Sequence, residues 1–130
     1  GSRQYLDFSP TVYDHLLADI STSVAPVISK LLNANYRILI YNGNLDITVA
    51  LPLTENFLLK LRWKGRGKYL NAKRSVYRLN PKDRSNVAGY VRQVDNLIVV
   101  AVRNAGHYLP YDQPLVGLDL ITKFVNYVQF

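Results

Sequence analysis

Arg37-Ile38-Leu39-Ile40-Tyr41-Asn42-Gly43-Asn44-Leu45-Asp46 and Leu97-Ile98-Val99-Val100-Ala101-Val102-Arg103-Asn104-Ala105-Gly106-His107 follow one plan. Each has an apolar run, then a turn rich in Asn and Gly, then a side chain able to carry chemistry. Continuous Val, Ile and Leu runs mark strands buried on both faces, as in parallel sheets. Open α/β sheets hold their reactive groups in loops at the carboxyl ends of such strands. The chain therefore reads as α/β, with two buried parallel strands whose outgoing loops present Asp46 and His107. A carboxylate and an imidazole are two of the three groups of a nucleophilic triad. The third has no candidate: Ser2, Ser9, Ser21, Ser23, Ser29, Ser75 and Ser85 are the serines, and none sits on a Gly-x-Ser-x-Gly elbow.

Outward from these strands the pattern is helical. Ser9-Pro10 reads as an N-cap with proline in the first turn, opening a helix that buries a stripe of Val12, Leu16, Ile20 and Val24. Pro26 removes a backbone donor and kinks that helix or divides it from a turn carrying Val27, Ile28, Leu31 and Leu32, which ends at Asn33-Ala34-Asn35. Gly43 permits the tight turn before Asp46, and a helix through Glu55, Phe57, Leu58 and Leu61 follows. Gly65, Gly67, Asn80-Pro81 and Asp83 punctuate the next segment. Within it Val76-Tyr77-Arg78-Leu79 and Val87-Ala88-Gly89-Tyr90-Val91 read as a short antiparallel hairpin beside the main sheet. Asp95-Asn96 reads as a turn before the second buried strand. Pro110 and Pro114 stiffen the loop after His107, and Asp112 is a candidate cap for a last helix with Leu118, Ile121, Val125 and Val128 on one stripe, widened by Leu120 and Phe124.

At 130 residues and 48% hydrophobic composition the chain has the make-up of one globular domain with one core. A full sheet of this topology uses roughly twice that length, since compact α/β domains of about 250 residues are routine. The chain therefore reads as part of a larger sheet. Gly1-Ser2 reads as a cloning scar and 3–130 as the domain segment. No apolar run approaches the roughly 18 residues that span a bilayer, so no membrane partner is expected. His15 and His107 are the only histidines and there is no cysteine, so neither a metal site nor a disulfide is built from these residues. Gly65-Arg66-Gly67 lacks the further glycine and helix start of a phosphate-binding loop.

The net charge of +7 raises the question of an anionic partner. Arg62, Lys64, Arg66, Lys68, Lys73, Arg74, Arg78, Lys82 and Arg84 crowd one segment, with Trp63, Tyr69 and Tyr77 among them. Such interleaving holds phosphates and stacks bases in some proteins. Charge runs are more often solvated excursions whose aromatics pack inward, and the segment reads as one, against nucleic acid. His15 reads as a solvent-facing residue of the first helix. Asp46 also fits a local Asx turn, a role open to Asn42 and Asn44 as well, and a loop histidine is often no more than a surface residue.

Four stretches carry a family resemblance: Ile38-Leu39-Ile40-Tyr41-Asn42-Gly43-Asn44-Leu45-Asp46-Ile47, Leu61-Arg62-Trp63-Lys64-Gly65, Val87-Ala88-Gly89-Tyr90-Val91 and Ala105-Gly106-His107-Tyr108-Leu109-Pro110-Tyr111-Asp112-Gln113-Pro114. In this order and spacing they resemble the C-terminal portion of serine carboxypeptidases, closest to the vitellogenic carboxypeptidase-like branch of the α/β-hydrolase superfamily, from about Ser9 onward. The resemblance implies the C-terminal part of an α/β-hydrolase fold, with Asp46 as triad acid and His107 as triad base. It implies release of C-terminal residues from peptide substrates, no cofactor, and lysosomal, vacuolar or secreted surroundings. The family's nucleophilic Ser, its oxyanion hole and its carboxylate-recognising acidic pair belong to the N-terminal part, so the rest of a larger enzyme, or a second chain of a two-chain one, would have to supply them. This chain alone is expected to lack triad-type peptidase activity. Two positions depart from many relatives: Val49 stands where a cysteine is common, and Tyr108 where methionine is common. The alternative is a noncatalytic truncated module that forms a homo-oligomer through open strand edges, or binds an anionic partner through the basic aromatic segment.

Overall fold

The computed structural model describes residues 5–130, so Gly1-Ser2, read above as a cloning scar, lies outside the described residues. The helices are α1 (Pro10–Ile20), α2 (Ala25–Asn33), α3 (Leu51–Lys60), α4 (Arg66–Asn71), α5 (Leu109–Asp112) and α6 (Pro114–Val125). The strands are β1 (Ile38–Gly43), β2 (Ser75–Tyr77), β3 (Gly89–Val94) and β4 (Leu97–Val102), in one sheet of order β1-β4-β3-β2.

The order follows from the connections. β3 and β4 are joined by the two-residue turn Asp95-Asn96, with Asp95 in the left-handed region at φ 49°, and pair antiparallel. β1 and β4 pair parallel, so everything between them forms the crossover that parallel pairing demands. β2 adds antiparallel to β3. The expected hairpin therefore exists, but it is built into the sheet rather than set beside it, and β3 runs on to Val94 because it has β4 as a second partner.

β4 lies between two strands and under helices on both faces, and all six of its residues are buried. Successive side chains alternate between faces. Ile98, Val100 and Val102 join Leu109, Val116 and Leu120 of α5 and α6 in one core. Leu97 and Val99 join Leu32, Leu58, Trp63 and Tyr69 in the other. Each such side chain contributes about 1.5–3 kcal/mol by leaving water. β1, expected to be buried, is only half-buried over Ile38–Ile40, because among the described residues only β4 pairs with it.

Ser9 caps α1 as read, its hydroxyl accepting from the Val12 N–H at 3.4 Å. Pro26 divides rather than kinks: α1 ends at Ile20 and α2 starts with Pro26 in its first turn, where a missing donor costs nothing. Two stripe assignments fail. Val12, Leu16, Ile20 and Val24 are exposed, and α1 buries none of its residues. On α6 the buried positions are Val116, Gly117 and Leu120, with Phe124 packed against the same core, while Leu118, Ile121 and Val125 face outward. The helix is apolar on most sides, and the docking of α5 selects the Val116–Leu120 side through Gly117, whose absent Cβ would stand 3.3 Å from the Pro110 Cα. Asp112 does not cap α6 either; Gln113 occupies the N-cap position, and Asp112 turns back toward Gly106.

Candidate active site

The register of β1 and β4 ends flush, Gly43 opposite Val102, so the two outgoing loops leave the sheet side by side. They are laced together. The Asn44 N–H donates to Val102 O at 2.8 Å, Leu45 N–H to Ala105 O at 2.9 Å, and Asn104 N–H to the Asn44 side-chain oxygen at 2.8 Å. Gly43 serves this approach and not, as expected, an unusual dihedral angle, since its φ is not positive. A Cβ there would overlap the carbonyls of Ala105 and Gly106. Beyond the crossing, Asp112 Oδ2 accepts the Gly106 N–H at 2.6 Å and Gln113 Nε2 donates to Asn104 O at 3.0 Å, so the end of α5 and the N-cap of α6 hold the second loop from behind.

The lacing brings Asp46 and His107 together. Asp46 Oδ2 and His107 Nδ1 are 3.0 Å apart across 61 residues of sequence. A carboxylate only accepts, so the imidazole proton belongs on Nδ1 and leaves Nε2 as the acceptor. The Asp46 side chain is 5% exposed and that of His107 46%, so the acid is sheltered and the imidazole opens outward. Asp46 Oδ1 accepts the Thr48 and Val49 N–H groups at 2.9 Å each. The turn reading of Asp46 and the pairing with His107 are thus both true, one for each carboxylate oxygen. The Val49 N–H holds the Asp46 carboxyl below the usual carboxylate range, aided by His107 and Thr48 and opposed by burial. Val49 takes part through its backbone N–H, so this bond does not depend on its side chain.

A residue that the sequence offered only as an alternative Asx-turn residue completes the acid's surroundings. Asn42 is buried at the end of β1, and its Nδ2 donates to Asp46 Oδ2 at 3.3 Å and to Val49 O at 2.8 Å. Its oxygen accepts from the Thr54 hydroxyl in the first turn of α3. The signal was an amide at the inward end of an apolar strand, two residues from where a turn residue would serve. Tyr108 is exposed and meets the His107 ring edge-on, with centroids 5.7 Å apart. His15 is exposed on α1, with its Nδ1 against Thr11 O, and takes no part in these hydrogen bonds.

In the basic segment the aromatics pack inward as read: Trp63, Tyr69 and Tyr77 are all buried. Their rings are therefore not a stacking surface. Several cations are tied locally: Lys68 to Asp95 at 3.0 Å, Arg74 to Glu55, Lys64 to Asn35, and Arg66 to Leu59 O. Among the described residues no cluster of three or more His, Cys, Asp or Glu is placed around a common metal position, and no helix is long and apolar enough to cross a membrane.

A mixed sheet with covering helices, whose parallel strand ends bring a carboxylate to an imidazole, defines a segment of the α/β-hydrolase class. Its fold matches the crystal structure of a prohormone-processing carboxypeptidase from Saccharomyces cerevisiae, Kex1, with a TM-score of 0.76 at 26% identity, over 91% of this chain and 25% of that one. The serine carboxypeptidase family model matches residues 2–127, and the chain belongs to that family. It is 48% identical over 126 residues to a venom serine carboxypeptidase of Apis mellifera, covering 97% of this chain and 26% of that protein. It is 45% identical to a probable serine carboxypeptidase, CPVL, of Homo sapiens over 96% of this chain, and 43% identical to a vitellogenic carboxypeptidase of Aedes aegypti over 88%. The chain spans about a quarter of the length of these relatives, 26% in the first two cases.

Proposed function

We propose that this chain supplies the acid and the base of a serine carboxypeptidase that releases C-terminal residues from peptides. The observation that carries the reading is the 3.0 Å contact between Asp46 Oδ2 and His107 Nδ1, made at adjacent parallel strand ends with the imidazole half exposed. In this reading a serine Oγ on the segment that precedes this one in relatives lies against His107 Nε2. His107 takes the serine proton as Oγ attacks the scissile carbonyl and returns it to the leaving amino group. Asp46 fixes the tautomer and stabilises the imidazolium. Water then repeats the cycle on the acyl-enzyme. The serine, the oxyanion donors and the recognition of the substrate carboxylate come from an N-terminal part, on the same polypeptide or a separate one, and this chain alone is inactive.

The uncovered apolar surface supports such a partner. α1 presents Val12, Leu16, Leu17 and Ile20 to solvent, and β1 leaves one edge unpaired among the described residues. The family resemblance and the venom and vitellogenic relatives support lysosomal, vacuolar or secreted surroundings.

The test is coexpression with the N-terminal segment of a relative, followed by a fluorophosphonate probe. Labelling is expected on the partner, with His107→Ala and Asp46→Asn each lowering peptide hydrolysis by about 10³-fold or more. Full activity in both variants, or specific labelling of this chain, would overturn the reading. The same free edge and exposed helix also support a noncatalytic homo-oligomer. The native mass decides between them: a heteromeric complex supports the enzyme, a self-association without a serine-bearing chain supports the module.

A further inference from the structure

We infer that Asn42 and Thr54 form a relay that positions the acid Asp46 toward His107, a role that rests on the proposed triad. The chemistry of the amide makes the arrangement one-directional. Nδ2 has two N–H groups, and both face groups that can only accept: Asp46 Oδ2 at 3.3 Å and Val49 O at 2.8 Å. Oδ1 is thereby turned to the Thr54 hydroxyl, which donates to it. Rotating the amide by half a turn would set its oxygen against both the carboxylate and the Val49 carbonyl, so the three partners together hold one orientation.

The position of the relay matters as much as its bonds. Asn42 Nδ2 meets the same carboxylate oxygen that faces His107, while the Thr48 and Val49 N–H groups meet the other. The backbone donors anchor Oδ1, and among the described residues Asn42 alone adds a neutral donor beside the imidazole. Asn42 belongs to β1 and Thr54 to the first turn of α3, so the sheet and the helix that follows the Asp46 loop jointly fix where that oxygen stands. Among the described residues, His107 is the titratable group bonded to Asp46. β1 and α3 face it with Asn42 and Thr54, which do not titrate.

The experiment uses the assembled enzyme described above, with kinetics across pH and the His107 Nδ1–H proton resonance as readouts. Asn42→Leu is expected to lower kcat by roughly 10- to 100-fold with KM little changed, as for a small misplacement of a reacting group. It should also move the Nδ1–H resonance and shift the acid limb of the kcat/KM profile upward. Thr54→Val should give a smaller change in the same direction, and Thr54→Ser should restore the parent values. Should Asn42→Leu fail to fold, the Thr54 pair carries the test. Parent kcat, acid limb and resonance in Asn42→Leu, or in Thr54→Val where that is the foldable variant, would overturn the relay. If Asp46→Asn and His107→Ala inactivate while Asn42→Leu does not, the triad stands and the relay falls. If the assembly hydrolyses no peptide, an Nδ1–H resonance that responds to Asn42→Leu still supports the relay, and one that does not overturns it.

Discussion

Gly43 packs its α-carbon against the Ala105 carbonyl so closely that no side chain fits between them. This is the point at which the Asp46 loop and the His107 loop cross, and the hydrogen bonds that Asn44 and Leu45 make with Val102, Asn104 and Ala105 depend on it. Gly43→Ala must therefore move backbone, not a flexible side chain. The expected cost is about 1–3 kcal/mol, in the range of an overpacked site. The His107 Nδ1–H resonance should change as the loops separate. Chemical denaturation and one-dimensional NMR check both, and a variant of parent stability would contradict the close approach.

Asp46 predicts a pH window. Its carboxyl is held below the ordinary value chiefly by the Val49 N–H, so the folded state binds its proton less readily than the unfolded chain. The stability this contributes is complete above the unfolded carboxylate value of about 4 and is lost as pH falls through the lower folded value. Asp46→Asn, which has no such ionisation, should be less stable than the parent above about pH 4 and converge on it as pH falls below that value. Urea midpoints taken through the acid range measure the difference.

The two faces of α6 predict opposite outcomes for like substitutions. Leu120 is 1% exposed and Leu118 67%. Leu120→Ala is expected to cost about 2–5 kcal/mol and Leu118→Ala less than about 0.5 kcal/mol. Equal losses measured by denaturant on this chain would show that the buried side is misassigned.

Tyr77 joins β2 to α6. Its hydroxyl donates to Asp119 Oδ2, which also holds Lys123 Nζ at 2.7 Å, and Lys123 lies 4.8 Å from the centre of the Tyr77 ring. Burial, with Asp119 beside it, pushes the phenol well above its usual range, so it stays a donor at any working pH. Tyr77→Phe keeps the ring and removes one bond to a charged acceptor, at an expected cost of about 1.5–3 kcal/mol by thermal or chemical unfolding.

Sequence legibility tracked how much each signal depended on local chemistry. β4 was readable because a strand covered on both faces must be apolar throughout, and Asp46 and His107 were readable because parallel strands deliver their loops to one edge. β1 has the same kind of run, yet its exposure depends on a neighbour strand that no local pattern reveals. α4 escaped notice because Gly65 and Gly67 look like loop punctuation, whereas Gly65 is its N-cap, packed under the Trp63 ring, and Gly67 lies within its exposed first turn. On α6, with Leu115, Val116, Leu118, Leu120, Ile121, Phe124 and Val125 in one helix, periodicity offered two stripes and tertiary packing chose the other one. The roles of Asn42 and Asp112 are bonds to groups in other elements, invisible until the loops meet.

The flush ends of β1 and β4 also separate two things that chains usually couple: the length of a connection and the distance between the groups it connects. Strand register, not the number of intervening residues, sets where Asp46 and His107 stand. The detour between the strands is therefore free to grow or shrink at its mostly exposed turn, residues 80–87, without disturbing the pair. That turn is the natural place for a genetically inserted tag or reporter domain, and the place where length differences among related chains can accumulate at least cost.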